Sequence, residues 1–162
     1  MSDPTQPSAP AAPAAQPSFQ VEKLYVKDLS LEVPNAPGVF MQAENPQLEI
    51  AVRNAAQRFA DGLFEVIVTV TVTARAGEKT VFLAEAAQAG IFSVRGVPEA
   101  DLDPLLGIAA PTILYPYVRE VISDVVTRAG FPPVVLAPVS FERIYMERQQ
   151  QAAGAVPAGA AQ

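Results

Sequence analysis

Few residues in this sequence have types and spacing that could do chemistry. Asp28 and Glu32 stand four apart, and Asp101 and Asp103 stand two apart with Glu99 just ahead of them. A pair of carboxylates can serve as general acid and general base. Three together can hold a hard divalent cation, but Glu99, Asp101 and Asp103 lack the loop spacing and the closing glutamate of a calcium-binding hand. Each set falls on the polar side of a strand or at the start of a helical turn, where solvated charge is the ordinary state. The three lysines, Lys23, Lys27 and Lys79, sit among polar neighbours, not in the apolar surroundings that make a lysine nucleophilic. The chain has no histidine and no cysteine, which removes the physiological-pH acid/base, the soft metal ligands and the partner of a serine or thiol nucleophile. It has neither a G-x-x-x-x-G-K-S/T loop nor a G-x-G-x-x-G turn. These residues point to a protein that acts through surfaces: not an enzyme, and without cofactor or metal.

Those surfaces belong to one domain. The 162 residues begin with the Pro- and Ala-rich MSDPTQPSAPAAPAAQPS and end with QQQAAGAVPAGAAQ. Neither end carries enough apolar surface to offset the entropy of ordering it, so residues 1–18 and 149–162 read as disordered tails and 19–148 as the folded unit. The N-terminus has no basic stretch followed by an apolar one, as a signal peptide would, and no run reads as long enough to cross a bilayer. With no cysteine, a reducing compartment fits, and the expectation is a cytoplasmic protein. The net charge of −6 repels nucleic acid and anionic lipid and attracts a basic partner, although it also serves solubility alone.

Within the folded unit, residues 19–33 alternate as a strand, with Leu29, Leu31 and Val33 on one face and Asp28, Ser30 and Glu32 on the other. Val21 and Leu24 cannot both face inward in a regular strand, which predicts a bulge between them. Pro34 to Gly38 ends the strand, and residues 39–46 form a loop carrying Val39, Phe40 and Met41. Leu48, Ile50 and Val52 mark a second strand. Residues 63–74 mark a third, with Phe64, Val66, Val68, Val70 and Val72 opposed to Glu65, Ile67 and three threonines. A hairpin turn at Gly77 leads to a fourth strand over 79–92, whose Ala84, Ala86, Ala87 and Ala89 allow close approach of another surface. A short helical turn is expected from Asp101. A long helix is expected from Pro111 to about Ala129, with Leu114, Val118, Val121 and Val125 on its apolar stripe. Gly130 stops it, FPPVVLAPV is extended, and Ser140 caps a final helix. Strands followed by helices make the class α+β, with a four-stranded antiparallel sheet carrying a long and a short C-terminal helix.

One long helix and one short one cannot cover both faces of such a sheet. The threonine face, with Glu65 and Glu85, reads as wet, yet Ile67, Val81 and Leu83 place apolar atoms on it. An acidic face with isolated apolar residues suits docking, as it also suits an ordinary sheet facing water. The long helix has more apolar positions than one sheet face needs, and self-association is the natural outlet.

Three stretches resemble the SecB family of bacterial export chaperones: VKDLSLEVPNAPGVF at 26–40, EKTVFLAEAAQAGIFSVRG at 78–96, and ILYPYVREVISDVVTRAGFPPVVLAPVSFERIYM at 113–146. The resemblance implies the same α+β fold assembled as a homotetramer, a dimer of dimers with long helices between the dimers. It implies an ATP-independent holdase that keeps precursor proteins unfolded and delivers them to SecA, the translocation motor. It places SecA docking on Asp28, Glu32, Leu83 and Glu85, opposite the basic, zinc-bearing tail and the body of SecA; the zinc belongs to that partner. It places unfolded clients on Phe40, Met41, Leu48, Ile50, Val52, Ile144 and Tyr145, of which Leu48, Ile50 and Val52 also fit an ordinary core. Two departures bear on client grip: the loop over 41–46 reads MQAENP without the tryptophan common in the family, and the last helix turns polar at Glu147-Arg148-Gln149. A SecB-like chaperone serving a toxin–antitoxin pair is the alternative within the fold, and a small-molecule-binding or enzymatic α+β domain the alternative outside it.

Overall fold

A computed structural model describes residues 16–42 and 45–154. Four strands, β1 (Ser18–Glu32), β2 (Gln47–Ala60), β3 (Leu63–Ala76) and β4 (Lys79–Arg95), form one antiparallel sheet in the order β1-β4-β3-β2. A 3-10 turn, Gly38–Met41, follows β1. The helical part starts earlier than its sequence pattern indicates. The helix α1 (Glu99–Pro104), a wider π turn (Leu105–Ala109) and α2 (Ala110–Arg128) run on without a break. The joined span, Glu99–Arg128, is long and apolar enough to cross a bilayer by length and composition, contrary to the expectation that no segment is. Its apolar side is spent on the sheet, as in the core helix of a folded domain. The final helix, α3 (Phe141–Gly154), extends past residue 148, where the sequence places the end of the folded unit, because Gln150, Gln151 and two alanines propagate a helix well. The remainder of the two tails, 1–15 and 155–162, lies outside the described residues.

Side-chain alternation divides the sheet into two unlike faces. On one, Val66, Val68, Val70 and Val72 of β3 are fully buried beside Ala84, Ala86 and Phe92 of β4. The helix α2 lies across these two strands. The alanines provide the close approach their size allows, and Leu114, Val118, Ile122 and Val126 fill it with no exposure. That stripe advances in steps of four. Val121 and Val125, expected on it, are half-buried at its margin. Gly130, at φ +91°, ends the helix run as expected, and the Ser140 hydroxyl accepts from the Arg143 backbone N–H at 3.3 Å as the cap of α3. Between them the extended segment is pinned by the Tyr115 hydroxyl, which donates to the Ala137 carbonyl at 2.6 Å.

The strand β1 keeps its apolar residues on the helix side of the sheet by shifting phase twice, although only Phe19, Leu24 and Leu31 pack against the core and Val21, Val26 and Leu29 stay exposed. Val21 pairs with Phe92 and Leu24 with Gly90, both on the helix face, across the expected bulge. A second shift between Val26 and Asp28 returns Leu29 and Leu31 to the same side. A comparable irregularity in β4 leaves Val81 without a partner. It turns into the core at 6 % exposure, where strict alternation would have placed it on the wet face.

Candidate binding cleft and docking face

The helix face is not fully covered. With α2 on β3 and β4, the helix-side residues of the edge strand β2 have little above them. Leu48 is 46 % and Ile50 45 % exposed, although they pair with fully buried Ala74 and Val72. Only Val52, the next on that row, packs against the core. At the Leu48 end a cleft of about 400 Å³ opens, lined by Val39, Phe40, Leu48, Phe82, Phe131 and Val134 among others. Its wall is an aromatic ladder: Phe82 against Phe131 at 4.9 Å between ring centres, and Phe131 against Phe40 at 5.1 Å. Phe82 is buried and Phe40 half exposed, so the ladder runs from core to solvent. Gly130 makes room for it, since a Cβ there would lie 3.3 Å from the Phe40 ring. The 3-10 turn that presents Phe40 is tethered to the sheet through Asn35, whose amide donates to the Thr80 carbonyl at 2.8 Å and whose carbonyl accepts from the Val39 N–H at 2.9 Å.

A second, more polar cleft of about 260 Å³ lies at the far end of β2, between Asn54–Ala56, the π turn and α3. Here the Tyr145 ring lies against Gly107, where an added Cβ would come within 2.8 Å of it. The Tyr145 hydroxyl donates to Asp103 at 2.6 Å, and Arg148 donates to the Asn54 side-chain oxygen at 3.0 Å. Gln149 reaches Asp103 at 3.4 Å. The polar continuation of the last helix is thus used to fasten it to β2 and α1. Of the seven residues expected to hold a client, Phe40 and Leu48 meet in the first cleft and Tyr145 lines the second. Ile50 and Val52 lie on the β2 row that connects the two ends, and Ile144 is partly buried against the core. Met41, 87 % exposed, adjoins the first cleft without lining it. Phe131 and Phe82 escaped the sequence reading. The only signal for Phe131 was an aromatic residue between a helix-stopping glycine and two prolines.

On the opposite, open face, Glu32 pairs with Leu83, Ser30 with Glu85 and Asp28 with Ala87. All four residues expected to dock SecA therefore share one face and adjoin one another across β1 and β4. Glu85 is not a free carboxylate: the Thr71 hydroxyl donates to it at 2.6 Å, and Arg53 of β2 stands 3.5 Å away. Farther along, Glu65 departs from the expected wet face, because it is buried. Lys27 donates to its two oxygens at 2.7 and 2.8 Å, Gln57 donates at 2.6 Å, and the Tyr25 hydroxyl donates as well. Tyr25 and Lys27 belong to β1 and Glu65 to β3, so their side chains must cross β4, where Ala87 and Ala89 leave space. Hydrogen bonds from Lys27 and Tyr25 hold the Glu65 carboxyl below the ordinary glutamate range, and burial together with Glu65 pushes the Tyr25 phenol up to about 12. This network is a satisfied structural cluster: among the described residues no buried side-chain polar atom lacks a hydrogen-bond partner. Among the described residues, no three of the His, Cys, Asp and Glu side chains converge as a metal site.

The family model for SecB, the preprotein translocase subunit SecB, matches residues 12–152. The chain belongs to the SecB family. Its sequence is 58 % identical to the protein-export protein SecB of Chromobacterium violaceum over 140 residues, which cover 86 % of this chain and 93 % of that one. It is also 55 % identical to the protein-export protein SecB of Neisseria meningitidis serogroup B, over 86 % of this chain and 97 % of the relative. Among solved structures, a SecB-like chaperone of Mycobacterium tuberculosis in complex with an antitoxin peptide superposes with a TM-score of 0.62. At 20 % identity over 75 % of this chain and 90 % of that one, it shares the fold. The SecB identity at this level of similarity makes the chain a protein-export chaperone.

Proposed function

We propose that this SecB-family chain grips unfolded precursor proteins in the trough along β2 and passes them to SecA across the open face of its sheet. The observation that carries the grip is the exposure of Leu48 and Ile50 on a strand whose neighbour is dry, next to a ladder of aromatic rings. An extended client segment can seat alternate apolar side chains on that row and in the Phe40–Phe131 cleft, while its backbone pairs with the free edge of β2. Binding of this kind needs no nucleotide, cofactor or covalent step, and the chain acts as a holdase and not as an enzyme. With no tryptophan over 41–46, Phe40 and Phe131 supply the large apolar anchors.

For delivery, Asp28, Glu32 and Glu85 with Leu83 form an acidic patch with one apolar contact, suited to a basic surface of SecA and to salt-sensitive, electrostatically steered association. The working form is a cytoplasmic homotetramer, a dimer of dimers. Tyr117, 48 % exposed, and half-buried Val121 and Val125 leave an apolar strip on α2 that supports such an assembly. A role with a toxin–antitoxin pair is less well supported, since the 20 % likeness to the mycobacterial chaperone carries the fold alone whereas the 58 % likeness is to an export protein. The test is refolding of a denatured precursor. Stoichiometric tetramer is expected to slow it without ATP, and refolding at the unassisted rate would refute the holdase reading.

A further inference from the structure

The buried carboxylate of Glu65 takes no part in the cleft or in the acidic patch, and its position gives it a separate task. The bulge between Val26 and Asp28 sets Lys27 and Asp28 together opposite Ala87, so a cation and an anion that are chain neighbours both emerge on the open face. Left to itself, the Lys27 ammonium would stand at the edge of the patch and offset the charge of Asp28. Instead it lies across β4 and is held by both oxygens of Glu65, at 2.7 and 2.8 Å. Tyr25 and Gln57 complete the carboxylate's hydrogen bonds from the two edge strands, which fixes its place. Ala87 and Ala89, 9 % and 0 % exposed, are small enough to let the lysine pass over β4.

We propose that Glu65 is a positioning residue that sets the sign of the open face: it draws the Lys27 ammonium away from Asp28 and leaves the Asp28–Glu32–Glu85 patch negative for a basic partner. This inference rests on the docking reading above. It implies that the ion pair between half-exposed Lys27 and buried Glu65 is retained for the charge it neutralises more than for the stability it adds, in keeping with the small net worth of most such pairs.

The test titrates SecA at low salt against the assembled wild type, Asp28→Asn, Glu65→Gln and the double variant Glu65→Gln/Lys27→Met, with sedimentation confirming the same assembly for each. Asp28→Asn and Glu65→Gln are each expected to weaken binding by about threefold to tenfold. The double variant is expected to return to within about twofold of wild type, because the uncovered cation is gone. A purely structural role for Glu65 would leave the double variant as weak as the single one, and that result overturns the proposal. So does an unchanged affinity of Glu65→Gln when Asp28→Asn is weakened, and in that case the docking reading stands. If Asp28→Asn also binds as wild type, the docking reading falls and this inference falls with it. A measurement on the unaltered chain needs no variant to fold. In competitive acylation of the three lysines, Lys27 is expected to react about tenfold more slowly than Lys23 and Lys79, since its ammonium is held in a charge-assisted pair. Equal rates would show that the ammonium is not sequestered and would overturn the proposal.

Discussion

The two faces of the sheet are built from the same strands and end in opposite states. On the helix side of β3 four consecutive inward valines are fully buried, while on the other side Ile67, Thr69, Thr71 and Thr73 are half-buried. The difference teaches that alternation assigns a residue to a face, and that what lies above the face then decides its chemistry. The helix α2 makes the middle of one face dry and stops short of β2, leaving a greasy row in contact with water. Among the described residues no helix covers the other face; polar side chains satisfy one another there, and Glu65 becomes buried under Tyr25, Lys27 and Gln57.

The contrast can be broken most forcefully on the covered side. Leu114→Ala, at a site with no exposure, is expected to cost about 2–5 kcal/mol in chemical denaturation, whereas Thr69→Ala on the open face should stay within about 1 kcal/mol. A cost at Thr69 equal to that at Leu114 would show that the faces are not distinct. Next in size, Leu48→Gln with Ile50→Gln should weaken client capture by about tenfold while shifting stability by no more than about 1 kcal/mol, because both side chains are already nearly half exposed. Loss of stability comparable to a core variant would place these residues in the core after all.

On the open face, Glu85→Lys should weaken SecA binding by about tenfold at low salt, with the effect shrinking as salt is added and the oligomer unchanged by sedimentation. Smallest is the acid response of the Glu65 cluster. Its carboxyl titrates lower in the folded chain than in the unfolded one, so it stabilises the fold above the ordinary glutamate range. That contribution is lost as pH falls through the depressed folded value. The denaturation midpoint of wild type should therefore fall more steeply with acid than that of Glu65→Gln, and parallel curves would remove Glu65 from the account.

Much of this was legible from the chain. The hairpin glycine, at φ +60°, the cap at Ser140 and the bulge between Val21 and Leu24 all follow from local residue types and parity. The second phase shift of β1 was harder to read, because Val26 and Leu29 straddle two charged residues and the alternation on either side looks regular alone. The cleft was half legible: Phe40 was evident as an apolar residue in a loop, and Leu48 as an apolar residue of an alternating strand. Phe82 of β4 and Phe131 beyond α2 come to them from distant parts of the chain, and no local pattern announces such a meeting. Tyr145 and Ile144 adjoin in sequence, yet they part in space, one toward a polar cleft and the other against the core.

Local residue chemistry by itself determined that this protein has strands before helices, no reactive centre of the histidine or cysteine kinds, and two unlike faces on its sheet. Backbone geometry and side-chain size act over a few neighbours, and their consequences can be read in order along the chain. Only the tertiary structure decided which apolar residues stay uncovered, because that depends on where α2 comes to rest relative to the edge strand. It alone decided which carboxylate is hidden, because Glu65 is reached by side chains 38 and 40 residues distant that cross an intervening strand at Ala87 and Ala89.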